Sequence, residues 1–202
     1  MLNPIDVVVT LKLVVAPEAA SNQRLAEELG ISTSRVHAAL RSAEASRLVS
    51  VVPQPGRKPH LKRVNRRALR ELISFGVPYV FPATPGRVVR GMPTAASAPI
   101  LSKYFPRDPE PSVWPDPDGK SRGATIEPLD PCVPFAARRD ESLYELLALV
   151  DAMRVGKARE REFALKQLEE KLLNPSLKPD DPEGGELERL PHTPCLTASV
   201  RT

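Results

Sequence analysis

The chain has 202 residues, with 29 Lys and Arg against 25 Asp and Glu (net charge +4), 23 prolines and only 4% aromatics. So much proline argues against one dense core along the whole length, because proline lacks a backbone donor and interrupts helices and strands. Cys132 and Cys195 lie too far apart for a disulfide framework or a cysteine metal site. No apolar run approaches the ~20 residues that cross a bilayer, and no signal-peptide pattern is present, so a cytoplasmic protein without membrane contact is expected.

Residues 4–15, PIDVVVTLKLVV, open the chain with Pro4 suited to a first helical turn. Their β-branched content would permit a strand, but their place directly before a helical pair favours a helix packed behind it. Ser21 is then a good N-cap for a short helix whose apolar face is Leu25, Ala26 and Leu29. Gly30 sits where that helix must stop, since such a turn favours a residue tolerant of positive φ. Ile31 plugs the corner and Ser32 caps a second helix, about 33–46, with Val36, Ala39, Leu40 and Ala43 inward.

Residues 48–52 (LVSVV) have strand character, residues 53–60 (PQPGRKPH) form a basic turn-rich loop, and residues 61–64 (LKRV) offer a second strand. Asn65 can cap a further helix over 66–75, ended by Gly76. Charge follows this organisation: residues 1–75 hold 12 Lys and Arg against 6 Asp and Glu, whereas residues 136–202 hold 11 against 13. A polyanion partner would meet its positive field in the first segment.

The order Leu25-Ala26, Gly30-Ile31-Ser32, Val36 and Leu40, followed by strand, basic tip and strand, resembles the winged helix-turn-helix of bacterial transcription regulators. MarR-type regulators are the nearest family, over roughly residues 4–75. The resemblance implies double-stranded DNA as partner, a recognition helix in the major groove and a homodimer. With Val36 and Leu40 inward, the face offered to DNA is Ser32, Thr33, Ser34, His37, Ala38 and Arg41, with Arg35 on the flank. Arg41 could pair with guanine O6 and N7, and Ala38 could meet a thymine methyl. The wing adds Gly56, Arg57, Lys58, His60, Lys62 and Arg63, with Arg57 placed for a narrow minor groove. Arg66 and Arg67 are candidates for phosphate contact.

Residues 76–138 read as a largely extended, proline-rich wrapping segment, with strand candidates at 77–82 and 87–91. Trp114 marks it as docked onto its own domain or a second subunit, since an indole left in water is costly. Residues 139–173 read as C-terminal helix, one or two segments joined near Gly156, for dimerisation or partner binding. Asp140 caps it, and Leu143, Leu146, Leu147, Val150 and Met153 form its stripe. Arg154, Lys157, Arg159 and Arg161 interleave with Glu160 and Glu162, which favours intrahelical pairing over a second nucleic-acid surface. Residues 174–202 read as a disordered tail.

No catalytic constellation is legible. His37, His60 and His192 are scattered, Gly184-Gly185 lacks a strand-to-helix context, and Glu169-Glu170 point in different directions. The expectation is a non-enzymatic protein with no metal and no cofactor. Its fold class is mainly α with a small β-hairpin wing. The alternative function is an antitoxin-like interaction protein that binds a partner through residues 76–173 and autoregulates its operon through the N-terminal domain.

Overall fold

The computed structural model describes residues 2–17, 21–52, 61–105 and 109–173. The expected wing tip (53–60) and tail (174–202) lie outside them, and with the tip go Gly56, Arg57, Lys58 and His60.

Within the described residues the chain is mostly helical, with two small sheets. Helix α1 (Pro4–Val15) begins with the expected proline in its first turn, and Asn3 and Asp6 form a reciprocal capping box. It is buried almost all round, which explains why its sequence lacks a polar face. Helices α2 (Asn22–Leu29) and α3 (Thr33–Ala45) follow, packed on each other and on α1. Strands β1 (Val49–Val52) and β2 (Leu61–Val64) then pair antiparallel, Val49 opposite Val64 and Val52 opposite Leu61.

The next helix departs from expectation. Helix α4 (Arg66–Glu71) does not stop at Gly76; it passes through a π-helical turn (Leu72–Gly76) into α5 (Val77–Val80). The strand expected at 77–82 is therefore helix as far as Val80. Leu69, Ile73 and Val77 recur every four residues and are fully buried, so continuing the helix buries a third large side chain. The wider turn precedes Pro78, whose ring cannot lie over a carbonyl four residues back in a regular α-helix.

The proline-rich segment is also more structured than a single extended strap. Strand β3 (Val88–Pro93) pairs antiparallel with β4 (Ser112–Pro115) and with β5 (Ser121–Thr125), while β4 and β5 meet in parallel at Ser112–Ala124 and Val113–Thr125. So tight a sheet requires close backbone contact: a Cβ on Gly123 would lie 1.7 Å from the Pro111 carbonyl oxygen. A short helix, α6 (Pro99–Ser102), bridges β3 and β4, and α7 (Val133–Arg139) follows β5. Trp114 is buried in its own chain, its indole N–H donating to Asp151 at 2.5 Å.

The C-terminal helical region is two helices, α8 (Glu141–Val155) and α9 (Ala158–Leu173), separated at Gly156. Asp140 caps α8 by accepting from the Leu143 N–H at 3.0 Å. Glu160 folds back to accept from the Lys157 N–H at 2.7 Å and so closes the start of α9. Helix α8 is not a projecting arm: it is buried on most sides and packs on α1, α5, α7 and α9. One hydrophobic core accordingly runs from Ile5 to Leu172 and joins the N-terminal and C-terminal helices.

Polar anchors inside this core fix its layers. The Lys12 side chain, 5% exposed, reaches Glu28 of α2 and Asp140 at the start of α8, each at 2.7 Å. Burial alone would lower its pKa, but the two carboxylates outweigh that and raise it. At the far end of α8, Asp151 accepts from Thr94 (2.9 Å), Trp114 and Arg154 (2.6 Å). Arg154 also donates to the carbonyls of Phe81 (2.8 Å) and Glu127 (2.9 Å).

Candidate nucleic-acid interface

Helix α3 is positioned by its inner face, its two ends and one long-range ion pair. Val36, Ala39, Leu40 and Ala43 are buried against α1 and α2. At the start, Ser32 Oγ accepts from the Arg35 N–H at 3.3 Å, as a capping serine should. At the end, the Leu48 N–H bonds to the Ala43 carbonyl (2.9 Å) and the Arg47 N–H to that of Glu44 (2.9 Å). This is a Schellman turn, with Arg47 at φ 58° in the position glycine usually takes.

The turn between α2 and α3 uses Gly30 for two reasons, of which one was legible in the sequence. Its φ of 68° is the left-handed conformation expected there. In addition, the Phe135 ring of α7 lies against it, so that a Cβ would meet ring carbons at 2.7 Å. Residues more than a hundred positions apart thus meet at this turn.

On the outer side of α3, Ser32, Thr33, Ser34, His37, Ala38 and Arg41 are all exposed. Ser34, His37 and Arg41 follow one another at helical spacing and form a stripe opposite the buried residues. Ser34 Oγ lies 3.1 Å from Ser32 Oγ. Among the described residues, His37 and Arg41 have no ion pair or side-chain hydrogen bond.

The flanking cations divide. Arg35 is not a free member of this face: its guanidinium is paired with Asp130, which is buried just before α7. Arg66 is likewise committed to the fold, donating to the carbonyls of Leu172 (3.2 Å) and, at the limit of a hydrogen bond, Val14 (3.5 Å). Both residues are candidates for nucleic-acid contact by sequence, and both satisfy buried acceptors of their own chain. Arg67 is well exposed and pairs along its helix with Glu71 at 3.2 Å.

In β2 the pleat separates two neighbouring cations that the sequence reading treated alike. Successive strand residues point to opposite faces. Lys62 shares the partly buried face with Val64, and burial lowers its pKa; Arg63 is exposed on the other face. Of this pair, Arg63 is the side chain open to solvent.

The C-terminal cations also divide: Lys157, Arg159 and Arg161 are exposed and, among the described residues, make no ion pair, so the intrahelical pairing expected of them with Glu160 and Glu162 is not formed. Arg154 is buried in the Asp151 cluster, and Lys166 and Lys171 pair with Glu162 (3.2 Å) and Glu145 (2.6 Å). Among the described residues no group of three His, Cys, Asp or Glu is gathered to hold a metal ion. The Cys132 thiol is buried, and burial together with Asp130 raises its pKa, which leaves it a poor nucleophile. No helix among the described residues is long and apolar enough to cross a membrane.

What sequence reasoning missed here is the contribution of residues 130–139, since neither the Arg35–Asp130 pair nor the Phe135–Gly30 contact leaves a local spacing signal. Comparison of the chain with protein-family models, curated proteins and solved structures finds no match.

Proposed function

We propose that the chain is a sequence-specific, double-stranded-DNA-binding transcription regulator of winged helix-turn-helix type. Helix α3 enters the major groove, the β1–β2 hairpin serves as a basic wing on the adjacent backbone or minor groove, and the working unit is a homodimer. One observation carries the reading: Ser34, His37 and Arg41 form an exposed polar stripe on a helix whose opposite face is fully packed, and the fold makes little use of them. A two-fold pair would extend a short contact into a symmetric site.

The test is selection of genomic fragments by the purified protein at stated salt, followed by Arg41→Ala on the site recovered. Discrimination between the selected site and a random duplex should fall by about 1–3 kcal/mol, the worth of one bidentate base contact, with circular dichroism unchanged. Unaltered discrimination would remove Arg41 from base reading. If six cations of α3 and the wing each neutralise a phosphate, log K against log salt should slope near −5.

The antitoxin-like reading keeps one observation in its favour. Phe75 and Tyr79, four residues apart on the α4–α5 surface, are 66% and 81% exposed, and contiguous exposed aromatics commonly mark a protein contact. The mass of the purified complex separates a pair of identical chains from a pair of different ones.

A further inference from the structure

We propose that Arg139 of α7, outside the helical pair and the hairpin, is an additional phosphate contact of the same DNA-binding face. The inference rests on the DNA-binding reading and extends it to a segment of the chain that the local pattern did not implicate.

The geometry begins at Gly30. The Phe135 ring covers the turn residue so closely that no Cβ fits between them. The guanidinium carbon of Arg139 lies 5.2 Å from the centroid of that same ring. The turn residue and the guanidinium thus both lie against the Phe135 ring, and Gly30 is only two residues before Ser32 at the start of α3. A guanidinium held over an aromatic ring keeps its in-plane N–H donors available, and those donors match the oxygens of a phosphodiester.

The surrounding charges leave Arg139 available for such a partner. Its neighbour Arg138 is used by Asp116 (2.9 Å) and Asp118 (3.0 Å) of the loop between β4 and β5. Asp140, the next residue, and Glu28 on α2 are both held by Lys12. Asp130 is held by Arg35. Glu141 is exposed in the first turn of α8, where the helix dipole favours an acid. Arg139 itself is exposed and, among the described residues, makes no ion pair or hydrogen bond through its side chain.

Phosphate contacts carry no base information, so their signature is a salt dependence shared by all sequences. The test compares full-length wild type, Arg139→Gln and Arg139→Lys on the selected duplex and on a random duplex across a salt series. Arg139→Gln should flatten the slope of log K against log salt by about 0.9 and weaken both duplexes by the same factor. Arg139→Lys, which keeps the charge, should retain most of the slope. A slope in Arg139→Gln equal to that of a DNA-binding wild type overturns the role of Arg139 and leaves the DNA-binding reading standing. A loss confined to the selected duplex overturns the phosphate assignment as well. Absence of any duplex binding by wild type overturns the DNA-binding reading itself.

Discussion

Arg41 and Arg154 are the same residue type on two helices, and the molecule uses them in opposite ways. Arg154, 4% exposed in its side chain, satisfies a buried carboxylate and two carbonyls at the inner end of α8. Arg41 stands on the outer face of α3 in solvent, with no partner among the described residues. The contrast shows that the role of a long cation is set by the acceptors that topology brings within reach. The end of α8 is where three separate segments are tied together; the outer face of α3 is where the fold leaves side chains for something else.

The largest effect that would break this contrast belongs to Arg154. Burial drives the Asp151 carboxyl above its ordinary pKa even with Arg154, Trp114 and Thr94 donating to it. Arg154→Ala would leave that carboxylate buried with its charge uncompensated, which typically costs about 3–5 kcal/mol. The sign of the pH dependence follows from the raised pKa. The folded state holds the Asp151 proton more tightly than the unfolded chain does, so ionisation costs stability above the ordinary carboxylate value of 3.8. That cost recedes as pH falls through the folded pKa. Urea unfolding of Arg154→Ala should therefore show a deficit that narrows on acidification. A loss below about 1 kcal/mol at neutral pH would mean that the cluster does not tie the fold together.

Next in size is Gly30, which joins the two regions through α7. Gly30→Ala must place a side chain at positive φ and against the Phe135 ring at once. Left-handed backbone costs ~1–2 kcal/mol for a non-glycine residue, and forcing an atom into packed space adds about 1–3 kcal/mol. The two parts separate in a double-mutant cycle: with Phe135→Ala already present, Gly30→Ala should cost only the backbone part. Equal costs in both backgrounds would show that the ring does not brace the turn, and the ring beneath Arg139 would lose its tie to Gly30.

These two sites also mark how far the sequence could be read. The caps at Ser21, Ser32 and Asp140, the stop at Gly30, the paired strands at 49–52 and 61–64, and the burial of Trp114 were all legible. Each is decided within a few residues, by a capping hydroxyl, a periodic face or a bulky ring in a proline-rich stretch. The partners of Arg35 and Arg66 were not legible because they are distant in sequence: Asp130 for the first, the Val14 and Leu172 carbonyls for the second. No periodicity announces such partners. Residues 77–80 failed for a related reason, since two prolines argued locally for an edge strand, while Val77 is held in the helix by burial alongside Leu69 and Ile73.

A third arginine sharpens the boundary between fold and outer face. Arg47 ends α3 in the left-handed conformation that Gly30 adopts at the end of α2, yet it carries a side chain there. Its backbone N–H closes the turn to Glu44 and Leu48 completes it to Ala43, so the conformation is held by bonds that do not need the guanidinium. The side chain itself is exposed. Arg47→Gly keeps those bonds and removes the steric cost of a Cβ at positive φ, while adding flexibility to the unfolded chain. The first effect should exceed the second, and the variant should gain about 0.5–1 kcal/mol in urea unfolding. If Arg47→Gly instead loses stability, the Arg47 side chain is contributing to the fold. The end of α3 would then belong with the Arg154 cluster rather than with the solvent-facing stripe of Arg41.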